Sequence, residues 1–114
     1  MHELSLVMSI TELVEQQAAD YMPVQIESIE LDIGYLSGVE IDSFEFAWKQ
    51  GVKNTLLENA TKHINRIEGK VECMDCHTSF AANALPIPCP SCNSYFVQIL
   101  QGKEMRVKSF TIPD

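Results

Sequence analysis

Four cysteines are the residues of this chain whose type and spacing point most directly to chemistry. They stand as Cys73-Met74-Asp75-Cys76 and Cys89-Pro90-Ser91-Cys92, with twelve residues between the pairs, and the chain has no other cysteine. Two residues between cysteines let both thiolates of one tight turn point at a single ion. Two such turns brought together make the tetrahedral four-sulfur cage that zinc prefers. The same spacing is open to two disulfides or to a pair of redox-active CxxC motifs, and zinc is the reading it favours. Four thiolates close the coordination sphere and leave no position for a substrate, so such a zinc is structural. Pro90 stiffens the second turn, and Pro86 and Pro88 mark an irregular approach to it.

A second donor set lies at Met1-His2-Glu3. A terminal amine, the amide nitrogen of residue 2 and the His2 imidazole can converge on one metal, with the Glu3 carboxylate next door. Nitrogen and oxygen donors in a planar or tetragonal set suit Ni(II) or Cu(II) rather than calcium or magnesium. Ligation needs a neutral imidazole, whose ordinary pKa is about 6.5, so binding should weaken as pH drops through that region. On the residues alone, the reading of His2 as a solvated side chain at a frayed end is the one favoured, since any histidine can follow an initiator methionine.

The elements that must position these groups follow from periodicity. Residues 3–21 read as an amphipathic helix, with Val7, Ile10, Val14, Ala18 and Tyr21 on one stripe and Pro23 as the stop. Ile29, Leu31 and Ile33 alternate with Ser28, Glu30 and Asp32, as in a strand over residues 25–34 with one solvated side. A loop follows from Gly34 to Gly38. Asp42, three residues before Glu45, predicts a capping box for a second helix, with Phe44, Ala47, Trp48, Gly51 and Val52 on its inner face. Trp48 and its neighbouring phenylalanines read as core. Residues 54–60 connect, 61–72 are extended with a weak pattern, and His63 reads as surface strand. The tail predicts a hairpin, Phe96 to Leu100 and Met105 to Ile112 around a turn at 101–104, with a phase slip between Val107 and Phe110. The expected fold is α+β: two helices packed on a small mixed or antiparallel sheet, with an inserted zinc-ribbon-like module. Residues 1–69, completed by 95–114, make the α/β domain, and 70–94 the zinc-binding module.

With 114 residues and 46% hydrophobic content, the chain can bury a core of its own. The first twenty residues hold no lysine or arginine, which argues against a secretory signal. No apolar run reaches the length of a membrane span, and unpaired thiols suit a reducing cytoplasm. Sixteen acidic against eight basic residues give a net charge of −8. That balance argues against a zinc-ribbon adaptor for nucleic acid, which would carry a basic footprint. It suits a protein that meets cations or basic partner surfaces. A zinc hydrolase lacks its three-ligand site with an open position, and no phosphate-binding loop is recognisable.

The opening Met1-His2-Glu3-Leu4-Ser5 resembles the start of the HypA/HybF family of hydrogenase nickel-incorporation proteins. So do Ile33-Gly34 with Leu36-Ser37-Gly38-Val39-Glu40, the paired CxxC motifs, and Gly102-Lys103-Glu104-Met105 with Val107-Lys108-Ser109. These matches run in order along the whole chain. The resemblance implies a nickel metallochaperone rather than an enzyme. Its partners would be a HypB-type GTPase and the [NiFe]-hydrogenase large-subunit precursor, with urease maturation also served in some organisms. Neither nucleic acid nor membrane is expected as a partner. By the resemblance, His2, Glu3 and Glu40 hold nickel as transferred cargo, and Cys73, Cys76, Cys89 and Cys92 hold structural zinc. Relatives often carry a histidine after each CxxC; here His77 follows the first pair and Asn93 the second. A two-histidine influence on the zinc is therefore in question. Tyr35 also stands where relatives often have a small or acidic residue.

A carrier must hold nickel selectively and still let it go. Imidazole, amine and carboxylate at a chain end meet that need, and a closed sulfur cage does not. Copper binds such donors more tightly than nickel, so selectivity has to come from geometry and partners.

Overall fold

The computed structural model describes residues 3–114. Helix α1 spans Glu3–Gln17, a short 3-10 turn follows at Ala19–Tyr21, and strand β1 spans Ser28–Gly34. Helix α2 runs Ile41–Gly51. Five strands complete the order: β2 Thr61–Ile67, β3 Lys70–Cys73, β4 Ser79–Ala81, β5 Val97–Gln101 and β6 Met105–Thr111. They form two three-stranded sheets, β2-β1-β6 and β4-β3-β5. The expected α+β class is therefore what the chain forms, with two small sheets where one was anticipated.

The chain divides into two compact units. One holds the segment ending at Leu31, with Val39–Ile64 and Val107–Asp114. Its core follows the helical stripe: Val7, Ile10, Val14 and Ala18 of the first helical segment are buried, with Phe44, Ala47 and Trp48 of α2. Thr11 joins the stripe because its hydroxyl donates to the Val7 carbonyl at 3.0 Å and so carries no unmet polar group inward. Gly51 matters here, because a Cβ at that position would lie 2.7 Å from Val7 Cγ1 and 3.2 Å from Leu4 Cδ1. The last turn of α2 thus rests against the first turns of α1. Leu56 and Leu57, in the connector after α2, are buried as well.

Four details depart from expectation in this unit. The α-helix ends at Gln17, and Tyr21, assigned to the buried stripe, is 63% exposed beyond its end. Strand β1 begins at Ser28 rather than at residue 25. Phe46 is exposed while Phe44 is buried, because two helical positions lie about 200° apart around the axis and cannot share an inner face. The cap of α2 is Glu40, not Asp42: a Glu40 carboxylate oxygen accepts from the Ser43 amide at 2.7 Å. Asp42 lies in the first turn, where its charge suits the helix dipole.

The other unit holds Asp32–Gly38 and Asn65–Arg106. Here β3 pairs antiparallel with β4 on one side and β5 on the other. The hairpin expected in the tail does not form, since β5 and β6 belong to different sheets. Residues 34–36 take up the backbone groups that a hairpin turn would use. The Gly34 amide donates to the Glu104 carbonyl at 2.7 Å, and the Leu36 amide to the Gly102 carbonyl at 2.8 Å. Gly102 adopts φ +115°, and a Cβ on Gly34 would fall 1.8 Å from the Gly102 carbonyl oxygen. Both positions therefore require glycine, one for conformation and one for space.

Candidate metal centre

Each CxxC pair folds as the same small turn. The Cys73 amide donates to the Thr78 carbonyl and the His77 amide to the Cys73 carbonyl, both at 2.8 Å. In the second turn the Cys89 amide donates to the Ser94 carbonyl and the Asn93 amide to the Cys89 carbonyl, again at 2.8 Å. The residue after each second cysteine takes a left-handed conformation, His77 at φ 66° and Asn93 at φ 65°. Asparagine and histidine are among the few residues that tolerate that region. This explains why the two types alternate here: the turn selects for backbone conformation. His77 does not reach toward the sulfurs by way of any contact seen. Its Nδ1 lies 3.3 Å from Glu72 Oε2, and its side chain is 73% exposed.

The two turns bring all four sulfurs within 4.8 Å of one another. Cys73 and Cys92 sulfurs are 3.5 Å apart, and those of Cys76 and Cys89 3.6 Å. A disulfide bond of about 2.05 Å is excluded at those separations. A tetrahedron with Zn–S bonds of about 2.3 Å has S···S edges of about 3.8 Å, which is the observed scale. Among the described residues this is the group of three or more histidine, cysteine, aspartate or glutamate side chains close enough to share an ion. Cys73 and Cys89 are buried, whereas Cys76 and Cys92 face outward.

Electrostatics supports a cation at the centre. The Thr78 hydroxyl, 3.2 Å from the Cys76 sulfur, and then the Thr78 amide hold that thiol down to about 6. The Ser94 amide draws Cys92 down, but Cys73, burial, Cys76 and Cys89 together push it up to about 12. Four thiols this close cannot ionise together unless a positive ion compensates them, so the donor set fits a divalent metal and binding would release protons. The rest of the turn is braced by hydroxyls. Ser94 Oγ donates to the Asp75 carboxylate, linking the two turns, and Thr78 Oγ1 lies 3.4 Å from Ser91 Oγ. These bracing residues were not singled out from the sequence. A signal for them exists: each CxxC is followed by His or Asn and then Thr or Ser, a short internal repeat.

The residues expected to hold nickel are placed differently. His2 lies outside the described residues. Glu3 opens α1, half-buried. Glu40 is exposed and caps α2, and the Ser43 amide holds its carboxyl below the usual carboxylate range. That cap lies at the opposite end of α2 from Gly51, the residue packed on Leu4 and Val7. Tyr35 carries the Arg66 guanidinium over its ring at 4.2 Å, while the Arg66 Nε donates to the Ile33 carbonyl. His63 is an exposed strand residue, as expected.

Sequence alternation placed Asp32 on a solvated side, yet it is only 3% exposed. Its carboxylate accepts from Asn65 Nδ2 at 3.0 Å and from Arg106 Nε at 2.8 Å. A buried carboxylate needs such donors. Its partners lie 33 and 74 residues away in sequence, so no local pattern could reveal them.

Comparison with known proteins adds independent findings. A family model described as hydrogenase/urease nickel incorporation, metallochaperone, hypA, matches residues 1–112. A hydrogenase maturation factor HypA of Parabacteroides distasonis is 53% identical over 98% of this chain and 97% of its own length. The protein of the same name from Geobacter metallireducens is 36% identical over 98% and 99%. Among solved structures, that of the Ni metallochaperone HypA from Helicobacter pylori superposes with a TM-score of 0.67 at 33% identity. It covers 98% of this chain and 97% of its own.

Proposed function

This chain belongs to the HypA family of hydrogenase/urease nickel-incorporation metallochaperones, and from that premise we propose how it divides two metals between two sites. The cysteine cage holds zinc for structure. Nickel is cargo, bound at the N-terminus by His2 and Glu3 with Glu40 as a third contributor. Residues 1–69, completed by 95–114, handle nickel, and residues 70–94 form the zinc-binding module. The protein works in the cytoplasm. With a HypB-type GTPase it delivers Ni(II) to the [NiFe]-hydrogenase large-subunit precursor, and urease maturation proteins are further partners in some organisms.

The observation that carries this reading is a family match beginning at residue 1, so that it includes Met1-His2-Glu3. A physical argument supports it. Four sulfurs at tetrahedral spacing saturate a small cation, leaving no open position through which cargo could pass to a partner. Releasable nickel then needs a second set of donors, and imidazole, amine and carboxylate supply a set of the right type. Among the described residues no helix is long and apolar enough to cross a membrane, which agrees with a cytoplasmic carrier.

Metal analysis of the reduced protein tests the division directly. One zinc per chain is expected before nickel is added, with one nickel gained afterwards. His2→Ala should lose the nickel and keep the zinc. Loss of both metals in that variant would mean a single shared site. Undiminished nickel would remove the N-terminus from the reading.

A further inference from the structure

Helix α1 leaves part of its apolar surface outside the core. Val7, Ile10 and Val14 are buried, but Leu4 and Met8, one turn apart, stay 48% and 57% exposed. Met8 stands at one end of a groove. Two hollows of about 230 and 360 Å³ meet at Glu15 and Thr55, and together they run between α1 and the chain that leaves α2. Buried Thr11 and Leu56 form the floor, and Met22, 45% exposed, stands at the far end. Methionine is flexible and polarisable, so the two end residues can fit more than one apolar shape.

Charge along the groove is one-sided. Glu12 and Glu15 line its α1 wall on the face that carries Met8, because the three are four and three residues apart. Both are exposed, and among the described residues neither carboxylate has an ion pair or a hydrogen bond. No lysine or arginine occurs from residue 1 to 48. The unit has four lysines and no arginine, and every lysine faces elsewhere. Lys49 lies about 200° around α2 from Gly51, which lines the groove. With Lys53 and Lys62 it borders a separate hollow beside Trp48. There Lys53 Nζ is 3.3 Å from Gln50 Oε1, Lys62 pairs with Glu45, and Glu58 offsets a further charge. Lys108 borders the other flank of α1, at Leu13 and Gln17, and pairs with Glu30 at 3.8 Å. The wall facing α1, at Gly51, Asn54 and Thr55, is uncharged.

No residue lining the groove belongs to a strand, so it offers no ladder to an extended chain. A segment lodged there must satisfy its own backbone, which a helix does. A second copy packed groove to groove would set Glu12 and Glu15 of the two chains against each other. We propose that this groove receives an amphipathic helix of a partner protein. Apolar residues three and four apart on that helix lie along Met8 and Met22, and Lys or Arg line only the flank that meets Glu12 and Glu15. Its other flank is polar and uncharged, to match Asn54 and Thr55.

Three synthetic peptides test this on the full-length, zinc-loaded chain. The first is a helix with Leu three and four apart and Lys along one flank. The second has Glu in place of each Lys, and the third is the first with its residues shuffled so that the stripe is lost. The first should shift the amide resonances of Met8, Glu12, Glu15 and Thr55 and the methyl resonances of Met8 and Met22. It should bind about tenfold more tightly than either of the others. Glu12→Gln combined with Glu15→Gln should lower its affinity about tenfold with zinc content unchanged. Absence of binding, or equal binding of the first peptide and either control, would overturn the proposal. So would shifts centred on Lys49 and Lys62, undiminished binding by the double variant, or self-association of the chain that Met8→Lys abolishes.

Discussion

Between Cys73 and Ser94 each metal-binding residue is fixed by its own turn, whereas Glu3 and Glu40 sit at the starts of two helices and have other work. The cysteine turns close on themselves through backbone bonds between residues four and five apart. Hydroxyls then tie the turns together, Thr78 Oγ1 to Ser91 Oγ and Ser94 Oγ to the Asp75 carboxylate. Glu40 instead spends its carboxylate on the Ser43 amide, and Glu3 lies in the first turn of α1. A preorganised cage suits a metal that stays. Donors engaged elsewhere, or near a chain end, suit a metal that must be passed on, because competing partners lower the cost of letting go.

The largest effect expected from testing this contrast is at the cage. Cys73→Ala or Cys89→Ala removes a buried sulfur, and structural zinc contributes on the order of 10 kcal/mol to small modules. Zinc should be lost and amide exchange across residues 70–94 should become fast. Far-UV circular dichroism should keep the signal of α1 and α2, whose buried stripe contains no cysteine. Collapse of the helical signal as well would show that the two regions are not energetically separable.

Next in size is the chain end. One or two residues placed ahead of Met1 displace the terminal amine but leave His2 and Glu3 in the chain. If nickel uses that amine, as the proposed reading has it, its loss should cost at least as much as losing a supporting contact, about tenfold in affinity or more. Calorimetric titration should show weaker nickel binding with unchanged zinc content. Equal affinity would mean that side chains alone hold the nickel.

Asp32→Ala should destabilise the protein by about 2 kcal/mol, since it strips two donors of their acceptor. The figure is held low because the Arg106 side chain is 66% exposed and can turn to water. Urea denaturation would measure it. Zinc content should not change, because neither Asp32 nor its two partners touches a cysteine in the contacts seen.

The smallest effect is at Glu40, and it is the sharpest on mechanism. Glu40→Gln keeps an oxygen that can accept from Ser43 but weakens ligation of a cation, whereas Glu40→Ala loses both. A lowered carboxyl pKa means that the cap stabilises the fold above the ordinary carboxylate range. That contribution is lost as pH falls through the lowered folded value. Thermal melting below about pH 4 should therefore show a slightly shallower acid decline in Glu40→Gln than in the unaltered chain. If Glu40→Gln keeps full nickel affinity, the residue is a cap and not a ligand.

The sequence by itself determined whatever depends on neighbours along the chain. The helical stripe of Val7, Ile10 and Val14, the inner face of Phe44 and Trp48, and the cysteine spacing are patterns written in neighbouring residues, so each could be read before its packing partner was known. The short repeat after each CxxC was equally local and could have been read. Tertiary structure alone decided the partition of β5 and β6 between two sheets, because Gly34 and Leu36 capture the turn at Gly102 and Glu104 from far away in sequence. It also decided the burial of Asp32, whose alternation reads as solvated until Asn65 and Arg106 arrive to neutralise the cost. The choice of Glu40 over Asp42 as cap had the same origin: both carboxylates can serve, and only the path of the chain into α2 puts one of them within 2.7 Å of the Ser43 amide.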